Sequence, residues 1–262
     1  VRIRFGILSV VACTVSLVAC QANPGPAPVE EPTTATATTT ATETTTVETE
    51  APKQDRETTS IGIDPIRNGF NPHLLSDDSP LVRDIASLVL PSAFEGNQLN
   101  TDLLDNVEQV DETTVRYTIA QEAQWSDGTP ITGSDFEYLR RSIVAGTGTL
   151  NDSAYSAISE IRTSGGGKTV DVIFEHPVAD WHLLFNNLLP SHLITGNSTF
   201  QTAFYDSIPA SAGRYMVRSI DRQRGVITLS RNDRFWGANP AHVEVLQFNT
   251  VASASRAGEY LR

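Results

Sequence analysis

Gly165-Gly166-Gly167-Lys168-Thr169 is the stretch whose composition comes nearest to phosphate chemistry. Glycines free backbone N–H groups to cradle an anion, and a lysine follows them. The full pattern needs a glycine at position 162, where this chain has Arg162, and a helix after the lysine, where the flank reads as extended. A glycine hairpin turn is the better reading. Gly196-Asn197-Ser198-Thr199-Phe200 lacks the second glycine of a serine nucleophile elbow. His73, His176, His182, His192 and His242 form no His-x-x-x-His or Glu-flanked pair of the kind that holds zinc. Acidic residues are scattered, so a two-carboxylate glycosidase has no spacing to rest on. The sequence therefore reads as a non-enzyme, with no catalytic residue, metal or cofactor assigned.

One thiol has a clear context. Two arginines, Arg2 and Arg4, precede an apolar run from Phe5 to Ala19, which ends in Leu17-Val18-Ala19-Cys20. A basic start and a short apolar run describe a secretory signal peptide, and the run is too short to span a bilayer comfortably. The tetrapeptide resembles the lipobox of bacterial lipoproteins. That likeness implies cleavage after residue 19 and acylation of Cys20. The other cysteine, Cys13, lies in the segment expected to be removed, so no intrachain disulfide is expected. Loss of residues 1–19 leaves 17 Lys and Arg against 31 Asp and Glu, a net charge of about −14. So acidic a chain is a poor nucleic-acid binder, because phosphate contacts need clustered cations.

The elements that must position any site begin after a tether. Residues 20–59 are read as the lipidated cysteine plus a disordered Thr/Pro-rich linker. Pro24, Pro26, Pro28 and Pro32 open it, Thr/Ala/Glu repeats follow, and nothing periodic offsets the entropy of ordering it. Residues 60–262 have globular composition. Strands are predicted at Ser60–Ile63, Val115–Ile119, Thr169–Phe174, Val226–Ser230 and Val243–Phe248. Hairpins join 158–162 to 169–174 around the glycine run, and 215–220 to 226–230 around 222–225. A helix is expected from a Ser134/Glu137 capping box to Gly146, with Phe136, Leu139, Ile143 and Val144 on one face. Further helices are expected at Pro80–Leu90 and His182–Leu189. The mixture is α/β with hairpins, not a regular alternation.

Several stretches carry a family likeness: Gln124-Trp125-Ser126-Asp127-Gly128-Thr129-Pro130-Ile131-Thr132-Gly133-Ser134-Asp135-Phe136, Leu189-Pro190-Ser191-His192-Leu193-Ile194, Ser211-Ala212-Gly213-Arg214-Tyr215, and Leu229-Ser230-Arg231-Asn232-Asp233-Arg234-Phe235-Trp236-Gly237. With Phe70-Asn71-Pro72 ahead of them, they resemble the oligopeptide/dipeptide-type solute-binding proteins of ABC importers, family 5. The resemblance runs from about Ser60 to Leu261. It implies a periplasmic-binding-protein-like type II fold, of which this chain would be the first lobe. The segments Gly69–Pro80 and Ala86–Phe94 are similar to an actinobacterial lipoprotein branch of that family, the LpqW-like branch. Trp125 and Trp236 are read as packing anchors, and Arg231 and Asn232 as ties of a turn.

The resemblance implies a lipid-anchored substrate-binding protein on the outer face of the cell membrane, capturing peptides or related small solutes for an ABC permease. The branch likeness implies instead a non-transport role in assembling phosphatidylinositol mannosides and lipoarabinomannan, with a glycolipid headgroup as ligand. Membrane contact would be through the anchor alone. Phe70, Asn71, Ser92 and Phe94 are expected to face the ligand cleft, because both segments follow elements early in the lobe and α/β sites favour strand ends. Two departures stand out. The family's Gly-Pro-Tyr is Gly213-Arg214-Tyr215 here, and family members are about twice this length, so a C-terminal truncation before the second lobe is expected.

Overall fold

The computed structural model describes residues 57–194 and 199–251. The expected signal peptide, Cys20 and all of the linker up to residue 56 lie outside the described residues. Strand β1 (Thr58–Ile63) begins two residues inside the expected linker.

Two four-stranded sheets carry the fold. In the first, β1 lies parallel to β10 (Val245–Thr250), which continues antiparallel to β9 (Val226–Arg231) and β8 (Tyr215–Asp221). The second runs β4 (Leu104–Asp111), β5 (Thr114–Ile119), β7 (Thr169–Phe174), β6 (Ile158–Ser164), antiparallel throughout. A small hairpin, β2 (Phe94–Glu95) with β3 (Gln98–Leu99), stands apart. Helix α1 (Pro80–Val89) packs on β8, and α2 (Gly133–Ala145) on β6 and on the short α3 (Asp152–Ser156).

Alternation explains the sheets. Val115, Tyr117 and Ile119 of β5 and Val170, Val172 and Phe174 of β7 are buried on one face, as a half-buried strand requires. They meet Phe136, Leu139 and Ile143 of α2. At the centre, Tyr117, Phe136 and Phe185 form a three-ring cluster with centroids 4.8–5.6 Å apart. On the other face of the sheet, Arg116 and Asp171 sit opposite each other and pair in a two-pronged ion pair at 2.7 and 2.8 Å.

Both expected hairpins form. The glycine run is a tight turn, Gly165, Gly166 and Gly167 all having positive φ, and Lys168 folds inward to donate to the Ala120 and Ala123 carbonyls. That amine is committed to the fold, not offered to a phosphate.

Three expectations are corrected. The α2 capping box is Thr132 with Asp135, two residues earlier than Ser134 with Glu137. Thr132 is extended, its Oγ1 accepts from Ser134 N at 3.4 Å, and its own N–H donates to Asp135 Oδ2 at 3.1 Å. Val144 is 42% exposed and off the buried face. Residues 182–189 are not a helix. A single turn at Trp181–Leu183 gives way to left-handed Phe185 and Asn187, and the backbone bonds go elsewhere: Phe185 N to Tyr155 Oη, Leu188 N to Pro91 O. Leu184, Phe185, Leu188 and Leu189 are all buried while Leu183 is exposed, so their helical spacing reflects an irregular segment that tucks two pairs of side chains into the core. Strand β4 was not expected. Asp105, Glu108 and Asp111 give it poor strand propensity, and as an edge strand it is mostly exposed.

Candidate functional site: two cavities in a tied frame

The stretches that carry the family likeness are bonded to one another. Ser126 N donates to Ser211 O at 2.7 Å, and Ser211 N to Ser126 Oγ at 3.1 Å. His192 Nε2 meets Asp127 Oδ2 at 2.7 Å. Asp135, buried at the head of α2, accepts from both Ser191 N and Ser191 Oγ. Burial raises its carboxyl pKa, and these donors oppose the rise. Asn232 reaches back with Nδ2 to Gly213 O and with its N–H to Arg214 O. The Val89 carbonyl at the end of α1 accepts from Ala212 N, Gly213 N and Ser211 Oγ. Trp125 is fully buried. Arg231 pairs with Asp233. These residues hold sheets, helix and loops in register.

Two concavities open in that frame. The first, about 610 Å³, lies at the carboxyl end of β1 and the amino end of α1, lined by 62–70, 77–82 and Asp84. It carries four aspartates, Asp64, Asp77, Asp78 and Asp84, against one cation, Arg67. Asp77 is spoken for, accepting from Asn71 N and Ser76 Oγ, and Asp78 pairs with Arg83. Asp64, Arg67 and the Asp84 carboxylate have no side-chain partner among the described residues. Exposed Tyr205 is tied to the lining residue Asn68 through Arg222, which bridges Asn68 O to Tyr205 O, and exposed Leu75 immediately precedes Ser76, whose carbonyl accepts from Asn68 Nδ2.

The second, about 450 Å³, opens between α1, the β2–β3 hairpin and the loops at 212–214 and 235–236. Ser92, Phe94, Asp102, Arg214 and Trp236 are among its lining residues.

The four residues expected at one cleft are thus divided. Phe70 borders the first cavity but is 1% exposed, under the Arg222 guanidinium. Asn71 lines neither: it is buried, its Nδ2 on Phe200 O and its Oδ1 on His73 N. Ser92 and Phe94 line the second cavity together. The aspartates of the first cavity and Asp102 of the second were not singled out in sequence. The only available signal was Asp77-Asp78 just before the Ser79 cap. Trp236 anchors as expected, through Nε1 on Asp102 O, and also lines the second cavity.

His73 joins the two regions. It is buried, stacks on Phe200, and its Nε2 lies 2.9 Å from the Asn187 carbonyl, while Asn187 N donates to Ser92 Oγ. Burial lowers its pKa to about 4, the Asn187 bond opposing only part of that fall. The ring is therefore neutral and donates from Nε2.

Comparison with known proteins gives consistent matches. Residues 98–262 match the family described as bacterial extracellular solute-binding proteins, family 5 Middle. A protein named probable monoacyl phosphatidylinositol tetramannoside-binding protein LpqW, from Mycobacterium tuberculosis, is 34% identical over 100% of this chain and 41% of its own length. The oligopeptide-binding protein OppA of Mycobacterium bovis is 27% identical over 76% of this chain and 38% of its own. Among solved structures, the periplasmic EDTA-binding protein EppA superposes with a TM-score of 0.69 at 26% identity, covering 79% of this chain and 42% of that one. The chain spans about two fifths of the length of these relatives.

Proposed function

The chain belongs to the bacterial extracellular solute-binding proteins of family 5, and from that premise we propose that its strand-end cavity is one wall of a site for the hydroxyl-rich headgroup of an amphiphile, a mannosylated phosphatidylinositol. The observation that carries this reading is the cavity's charge. The free carboxylates of Asp64 and Asp84 accept hydrogen bonds from sugar hydroxyls. With Asp78 paired to Arg83, the remaining lining aspartates Asp64, Asp77 and Asp84 still outnumber Arg67 and disfavour a phosphate. The mannose end would enter, and the phosphate would stay outside. Exposed Leu75 and Tyr205 beside the cavity offer an apolar lip for the lipid end. The whole-chain likeness to LpqW supports the ligand class.

A peptide is the second reading, favoured by the likeness to OppA, since the same carboxylates suit a peptide's amino terminus. In that case the partner is an ABC permease and the role is uptake. In either case residues 1–19 act as signal peptide, Cys20 as the acylated anchor on the outer face of the membrane, and the residues from 21 up to the start of β1 at Thr58 as tether. Cys20→Ala should then release the protein from membranes or block its processing. A variant that stays membrane-bound at wild-type mobility contradicts the anchor.

Native mass spectrometry of the chain with a phosphatidylinositol tetramannoside and, separately, with a mixture of tri- to pentapeptides tests the ligand. Retention of the glycolipid, lost in Asp64→Asn/Asp84→Asn, is the expected result. Retention of peptides alone favours the second reading and ends the first.

A further inference from the structure

The second cavity is not used by that reading, yet it is built as a site. Its frame is rigid. Gly213 lies so close to the Leu88 carbonyl that any Cβ would collide with it. Asn100 bridges Ser92 O at 2.9 Å and Asp102 N at 3.1 Å, and Trp236 is hooked to Asp102 O. Within this frame several groups stay uncommitted. Phe94 packs edge-on against Trp181 and Trp236 is held by Asp102 O, yet both rings are only partly buried and line the cavity. Asp102 uses Oδ1 on Ala238 N and leaves Oδ2 without a partner among the described residues, as are the Glu95 carboxylate and the Arg214 guanidinium. Ser92 Oγ accepts from Asn187 N, so its proton remains free to donate.

We infer that this cavity is a second ligand site, shaped for a pyranose ring of an oligosaccharide. A pyranose has C–H faces that lie on aromatic rings and a rim of hydroxyls that both donate and accept. Asp102 and Glu95 take hydroxyl protons, while Arg214 and Ser92 give hydrogen bonds to its oxygens. An apolar occupant would strand three charged groups without partners. A strongly anionic one would meet two carboxylates beside the single cation. Arg214 stands where the resembling family has proline, so the donor is a feature of this chain, and proline would supply none.

The test uses the ¹⁵N-labelled 262-residue chain titrated with α-1,2-mannobiose and read by amide shifts. Saturable shifts are expected at 92–103, 212–214 and 235–237, and they persist in Asp64→Asn/Asp84→Asn. Arg214→Ala and Phe94→Ala should each weaken binding at least tenfold. Arg214 is exposed, so its variant keeps the unfolding midpoint even if removal of Phe94 loosens the hairpin. Shifts confined to 62–69 and 77–84, absence of any saturable shift, or an Arg214→Ala variant that binds like the parent overturns the inference. Shifts at the second cavity without any at the first would sustain it while ending the strand-end reading.

Discussion

The strand-end cavity and the Ser92 cavity differ in how they are made. The first is lined by a connecting loop and the start of a helix, with unpaired charges at its surface. The second is enclosed by segments bonded across long sequence distances, Asp102 to Trp236 and Ser92 to Asn187. Of the residues that carry the likeness, Phe70 and part of the 69–80 segment border the first cavity, and part of the 86–94 segment with Gly213, Arg214, Phe235 and Trp236 lines the second. Trp125, Asp127, Asp135, Ser191, His192 and Asn232 are spent on internal packing and bonds. In this lobe the 124–136 and 189–194 stretches build the frame and line neither cavity, while other recognisable stretches contribute to the linings.

The sharpest way to break that contrast is to remove a framework group. Asp135→Ala strands Ser191 N, Ser191 Oγ and Thr132 N in a buried setting. Orphaned buried donors of this kind cost about 1–3 kcal/mol each, and we expect a total loss of about 3–4 kcal/mol in denaturant unfolding, some groups finding water. A loss under about 1 kcal/mol would deprive the likeness residues of their framework role.

The link between the regions has a pH signature. His73 has a folded-state pKa near 4, below its ordinary 6.5. Above 6.5 neither state binds the proton and the contribution is intact. As pH falls from 6.5 towards 4, the unfolded chain takes up a proton that the folded one refuses, at about 1.4 kcal/mol per unit. We expect His73→Gln, measured against the parent by denaturant unfolding at each pH, to remove up to about 3 kcal/mol of acid sensitivity in that window. Parallel curves for the two proteins would show that the ring is not buried neutral.

The frame was legible where local pattern and tertiary environment agree. Alternation revealed β5, β7 and β9, and the glycine run revealed its turn. Residues 182–189 failed because two buried pairs, Leu184-Phe185 and Leu188-Leu189, fall at helical spacing in an irregular segment, and β4 failed because an exposed acidic edge strand has no apolar period. The α2 cap slipped because Ser134/Glu137 and Thr132/Asp135 both have capping spacing. Only the third element, Ser191, chooses between them by bonding Asp135. The cavities were less legible. Phe70 borders one concavity, Asn71 lines neither, and Ser92 and Phe94 line the other, with 185–187 bonded to the 91–93 segment.

That division separates two substitutions expected to act alike from sequence. Asn71→Ala removes the bonds to Phe200 O and His73 N, and about 2 kcal/mol of stability should go with them. Ser92→Ala removes one partly buried acceptor from Asn187 N and should cost about 1 kcal/mol, with the larger consequence at the second cavity. Equal losses would put Ser92 in the frame as well.

The smallest stability effect belongs to the first cavity. Asp64→Asn/Asp84→Asn touches two carboxylates with no side-chain partner among the described residues, so unfolding should shift by no more than about 0.5 kcal/mol. The sign should be slightly favourable. Two negative charges leave a lining that holds four aspartates, in a chain whose net charge is −12. The same change should still abolish retention of a mannosylated headgroup, because an asparagine has one acceptor oxygen where the carboxylate has two, and no charge to strengthen the bond. A drop in stability comparable to that of Asn71→Ala would mean that the aspartates are framework too. Unchanged retention would move the headgroup elsewhere.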